Sequence, residues 1–155
     1  MALAGFADAV AGTPFADWAA GSAWAYPLAN VVHVLGLVLL LGSIGILDLR
    51  ILGLFRRLSL DALGDALTPL AVSGLVLMIA SGSILFAADA AALPLSNTFR
   101  WKLGLIAVAV LNALAFRWRF GRSVAAPSLG VRAMALLSLL AWTGVAILGR
   151  WIAYS

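Results

Sequence analysis

The sequence predicts an all-α integral membrane protein: a bundle of four transmembrane helices behind an N-terminal interfacial helix. Three observations carry that expectation. Of 155 residues, 65% are hydrophobic and only 10% are charged, too little charged surface for a soluble domain of this length. The mean hydropathy is +1.11. The apolar residues also gather into four long runs, each about long enough to cross a hydrocarbon core of roughly 30 Å at about 1.5 Å per residue.

Residues 1–25 have no basic n-region, and Asp8 and Asp17 break the apolar run, which argues against a cleavable signal peptide. Thr13-Pro14 has the form of a helix start, with Thr13 as cap and Pro14 in the first turn. Phe15 and Trp18 share a face of that short helix, and Trp24 and Tyr26 follow at the depth aromatic rings favour. This segment is expected to lie on the membrane until Pro27 turns the chain inward. Residues 26–155 then form the transmembrane domain.

The first span is expected over 27–49. Arg50, Arg56, Arg57, Asp61 and Asp65 make a polar connection to the second span, 67–88, which Asp89 ends. Pro94 and Asn97 mark a loop. The third span, 99–118, has an uncharged centre that is short for a crossing, lengthened where Arg100, Lys102 and Arg117 snorkel outward. Arg119, Arg122, Pro127, Ser128 and Gly130 mark the next loop, and the fourth span covers 132–153.

Charge sets the orientation. Arg50, Arg56, Arg57, Arg117, Arg119, Arg122 and Arg132 lie at one end, against Arg100, Lys102 and Arg150 at the other. The positive-inside rule places the first group in the cytoplasm and both termini in the periplasm, as expected for a bacterial inner-membrane protein. The net charge of +4 is thus topology and carries no nucleic-acid signal. The lipid bilayer is the first partner implied, and a homodimer or a larger membrane complex is compatible with the pattern.

Small residues supply packing seams, because close backbone approach drives helix association in lipid. Gly74 and Gly82 lie on one side of the second span with Met78 between them; Gly36, Ser43 and Gly144 are candidates for the facing positions.

The first span carries the single histidine, His33, about six residues, or roughly 9 Å, inside its outer end. A titratable imidazole at that depth must face protein, ligand or water. Polar residues from every span gather near the same end: Asn30 a turn above His33, Asp89, then Arg100 and Lys102, then Arg150 and Tyr154. Read structurally, the cations snorkel to phosphates, Asp89 pairs with one of them, and His33 locks two helices. Read functionally, His33 ligates haem b iron while Arg100, Lys102 and Arg150 neutralise propionates, or His33 and a cation hydrogen-bond a quinone. Haem lacks an evident second axial ligand, since Met78 lies too deep and Met134 sits at the far end; two chains sharing one haem would supply it. With no cysteine and one histidine, no zinc or copper site is expected, and His33 is a metal ligand only toward haem iron.

No catalytic constellation is legible, so an enzyme acting alone is not expected. Ser73, Ser81, Ser83 and Thr143 are expected to bond back to their own helices, and Asn112 to bond across helices. Asp48 is expected to pair with Arg50, which would keep it ionised and unsuited to proton transfer.

Four stretches carry a resemblance: YPLANVVHVLGLVLLLGSIGILDLRILGL (26–54), SGSILFAADA (81–90), NTFRWKLGLIAVAVLNALAFR (97–117) and WTGVAILGRWIAY (142–154). Together they resemble a family of small four-helix bacterial inner-membrane proteins of unknown function. The resemblance implies a four-helix membrane domain and no particular activity. Relatives often end the third span in a histidine where this chain has Phe116-Arg117, so any role of that histidine is absent here. Three function classes follow: a cofactor-binding or electron-transfer subunit, a non-catalytic accessory or assembly subunit, and a small transporter, the last lacking paired core carboxylates.

Overall fold

The computed structural model describes residues 2–121 and 127–154; Arg122 lies outside the described residues. Among the described residues six α-helices follow in order: α1 (Ala2–Ala11), α2 (Pro14–Gly21), α3 (Ala25–Leu52), α4 (Leu60–Ala88), α5 (Asn97–Phe120) and α6 (Leu129–Trp151). Helices α3 to α6 are each long and apolar enough to cross a membrane, with mean hydropathies between 1.5 and 2.2. Large side chains such as Val31, Val34, Leu35 and Val38 are exposed on them, as a lipid-facing surface requires. This is an all-α, multi-pass membrane protein.

Hydroxyl caps start α2, α4, α5 and α6. Thr13, Ser59, Ser96 and Ser128 accept hydrogen bonds from the N–H groups of Ala16, Ala62, Phe99 and Val131, each satisfying an otherwise orphaned donor. Gly53, at φ +113°, ends α3 with Gly53 N–H bonded to Arg50 C=O and Leu54 N–H to Leu49 C=O. That Schellman arrangement needs a left-handed residue, which glycine supplies without strain.

These caps correct several boundaries. The Ser59 cap starts α4 seven residues ahead of the expected 67, so Asp61 and Asp65 lie on its first two turns and not in a connection. Asp61 in the first turn also suits the positive end of the helix dipole. Pro27 does not turn the chain; it sits within the first turn of α3, where its missing N–H has no partner to lose. Asn97 and Gly130 are helical, Pro94 lies in a 3-10 turn (Leu93–Leu95), and Arg119 remains in α5. The N-terminal segment holds a second helix, α1, beyond the one expected from Thr13-Pro14. Phe6 of α1 stacks on Phe86 of α4 at 6.1 Å, and Phe86 on Phe99 of α5 at 5.8 Å, tying that segment to the end of the bundle where both termini lie.

Helix α3 packs along α4 and α6, and α5 packs along α6. Gly36 and Gly74 make the tightest crossing: a methyl group on Gly74 would fall 2.6 Å from the Gly36 carbonyl oxygen and from the Leu40 nitrogen. Gly144 instead faces α5, where it seats Leu105. Leu40, Ala71, Met78, Ala109, Trp142 and Val145 form the core. Among the described residues α4 and α5 meet at the Phe86–Phe99 stack, and a cleft separates them further along.

Candidate functional site

The Gly36–Gly74 crossing sets the site. With antiparallel α3 and α4 touching there, His33, one turn toward the termini, stands opposite residues 78–82. Gly82 leaves room for it: a methyl group at 82 would lie 3.3 Å from the imidazole Cε1. The ring is half-buried, and its Nδ1 lies 3.0 Å from the Ser81 hydroxyl.

The Ser81 hydroxyl lies 2.6 Å from the Leu77 carbonyl, too close for two acceptors without a proton between them. Its one proton is therefore committed to Leu77, and the serine oxygen accepts from His33 Nδ1–H. In the neutral ring this fixes the tautomer and leaves the lone pair on Nε2. A bond of this kind contributes about 0.5–1.5 kcal/mol, and its larger effect is to hold the imidazole in one orientation. Ser81 does bond back to its own helix, as expected, and so does Ser83, to Ile79.

Lys102 is the expected cation that turns inward. It is partly buried, with Nζ 3.3 Å from where a side chain on Gly149 would begin, and it lies within electrostatic reach of the imidazole. The others point elsewhere. Arg100 is exposed and donates from Nε to the Pro94 carbonyl at 2.9 Å. Arg150 donates to the Tyr154 hydroxyl, with its guanidinium 4.8 Å from the Tyr154 ring centre. Those two residues, with Ile147 and Trp151, line a shallow recess of about 450 Å³. Asn30 and Asp89 are exposed, and the Asp89 carbonyl accepts from Ala92 and Leu93 N–H. His33, Ser81 and Lys102 thus form the inward-facing set. The sequence pattern missed Ser81 as a partner for His33, although the Gly36/Gly74 register contained the signal.

At the other end, the expected Asp48–Arg50 pair is not formed. Arg50 donates from Nε to the Leu58 carbonyl at 2.7 Å and from a terminal nitrogen to the Arg56 carbonyl at 3.2 Å. Its guanidinium closes the α3–α4 loop, while Asp48, about 200° around the helix from it, faces the bundle and is only 7% exposed. Asn112 makes the expected interhelical bond, Nδ2 to the Met134 carbonyl at 3.0 Å. Among the described residues no group of three or more His, Cys, Asp or Glu is placed to hold a metal ion.

The chain matches no protein-family model, no curated protein and no solved structure.

Proposed function

We propose that this protein is a cofactor-binding subunit for electron transfer in a bacterial inner membrane, with haem b or a quinone held at His33 on the periplasmic side. The observation that supports this reading is the imidazole pinned through Nδ1–H to Ser81, the tautomer that carries its lone pair on Nε2. That is the form in which histidine binds iron or accepts a hydrogen bond from a quinol hydroxyl. The inward-turned Lys102 complements it, as a donor to a quinone carbonyl or a counter-charge to a propionate. This chain offers haem one axial ligand at this site; Met78 packs at the Gly36–Gly74 crossing, so a second ligand would come from another copy of the chain or a partner.

The test is the visible spectrum, oxidised and reduced, of protein purified in mild detergent, with quinone extraction beside it. A Soret band or an extractable quinone is expected, lost in His33→Ala and weakened more in Lys102→Met than in Arg100→Gln. A colourless, quinone-free preparation refutes the reading. One observation favours a second reading, an accessory or assembly subunit: Asn30, Asp89, Arg100 and Arg150 are all exposed at one end, open to a partner protein. Co-purification of a stoichiometric partner, lost on changing those residues, supports that reading.

A further inference from the structure

The cleft between α4 and α5 encloses about 630 Å³, a volume typical of small-molecule sites. It lies in the half of the bundle away from His33, with α3 and α6 behind it. Two polar groups on its wall lack partners. Asp48 Oδ2 of α3 is buried with no hydrogen bond, and so is the indole Nε1 of Trp142 on α6. These side chains are 7% and 3% exposed. The Ser138 hydroxyl on α6 reaches toward Asp48, yet Oδ2 remains unmatched.

An acceptor and a donor left unpaired at such depth cost free energy that folding alone gives no reason to spend. An intramembrane carboxylate without a counter-ion is a functional residue by default. The surroundings indicate the sign of what it binds. Asp61 and Asp65, on the first two turns of α4, also line the cleft, and among the described lining residues Arg117 is the one cation. Among the described residues the acidic side chains outnumber it, which favours a cation. The remaining wall, from Leu40, Ile44, Val72, Leu75 and Phe116, is apolar and suits a hydrocarbon body. Pro69, also on that wall, has no N–H and frees the Asp65 carbonyl at the rim.

We propose that the α4–α5 cleft binds an amphiphilic amine, its ammonium on Asp48, its hydrogen-bond acceptor on the Trp142 indole N–H and its apolar body between α4 and α5. The site is separate from the His33 reading and stands or falls without it. A free lipophilic amine and the ethanolamine headgroup of a lipid share this chemistry.

The experiment titrates the full-length protein, in nanodiscs of phosphatidylglycerol, with dansylcadaverine, a primary amine whose sulfonyl group is an acceptor. Saturable binding is expected, weakened at least about tenfold by Asp48→Asn and several-fold by Trp142→Phe. Asp89→Asn, at the opposite end, leaves it unchanged. The uncharged analogue dansyl-n-butylamide binds at least about tenfold more weakly and is indifferent to Asp48→Asn. Replacing half the lipid with phosphatidylethanolamine distinguishes the sources: competition assigns the site to the lipid amine, and unchanged affinity assigns it to a free amine. The proposal is overturned by absent saturable binding, by wild-type affinity in Asp48→Asn, by equal affinity for the uncharged analogue, or by an equal loss in Asp89→Asn. Should Asp48→Asn not fold, the exposed pair Asp61→Asn/Asp65→Asn replaces it. A loss of about threefold or more at low salt is then expected, and no loss overturns the proposal.

Discussion

Gly74→Ala tests the helix crossing on which the His33 geometry rests. The added methyl group would lie 2.6 Å from the Gly36 carbonyl oxygen and the Leu40 nitrogen, whereas ordinary contact begins at 3.4 Å. Both obstacles are backbone, so no rotamer change relieves the clash, and α3 and α4 must separate by up to 0.8 Å. Overpacking of this kind costs about 1–3 kcal/mol, against which alanine recovers up to about 1 kcal/mol of helix propensity. Gly42→Ala, on α3 with nothing within 4 Å, keeps the propensity gain without the clash. The two variants are expected to differ by about 1–3 kcal/mol, with Gly74→Ala the less stable. Far-UV circular dichroism melts in one detergent measure the difference. The separation also stretches the 3.0 Å His33–Ser81 bond toward or past hydrogen-bonding range, so Gly74→Ala is expected to weaken any ligand held at His33. A Gly74→Ala melt at or above that of Gly42→Ala would rule out the tight Gly36–Gly74 crossing.

Other perturbations separate the remaining claims. Ser81→Ala frees Nδ1 without removing the imidazole, and it is expected to weaken ligand retention about 10- to 100-fold while the helices stay folded; retention equal to wild type would remove Ser81 from the site. Asn112→Ala breaks the α5–α6 bond to Met134 and is expected to cost about 0.6–2 kcal/mol in a detergent melt. Ser59→Ala removes the cap that starts α4 and is expected to cost about 1 kcal/mol, with amide exchange rising at Leu60–Leu63 and not at the Gly74 crossing. Alkaline phosphatase fused after Tyr154 is expected to be active and a fusion within 122–126 inactive; the reverse result overturns the orientation drawn from the arginines.

Much of the architecture was legible because membrane spans announce themselves locally. Length, apolarity and flanking charge are properties of contiguous residues, and the hydrocarbon core demands them whatever the neighbours are. Capping is local too: Thr13-Pro14 marked the start of α2 by its own chemistry. Where boundaries moved, a local signal had been outweighed. Asp61 and Asp65 suggested a connection by their charge, yet the Ser59 cap and the helix dipole hold them in α4.

Four spans, their order, the helix positions of Gly36 and Gly74, and the place of His33 along its helix follow from contiguous residues alone. Which way each polar side chain turns follows from how the helices pack. Arg50 and Asp48 are two residues apart, about 200° around a helix, and their pairing looked natural until loop carbonyls claimed the arginine and the carboxylate faced the cleft. Arg100 and Lys102 are likewise two apart, and one is exposed while the other turns onto Gly149. Chain position fixes the angular direction of a side chain, but its partner is fixed by what neighbouring helices bring to that angle. For His33, Lys102, Asp48 and Trp142, that information lies in helices distant in sequence.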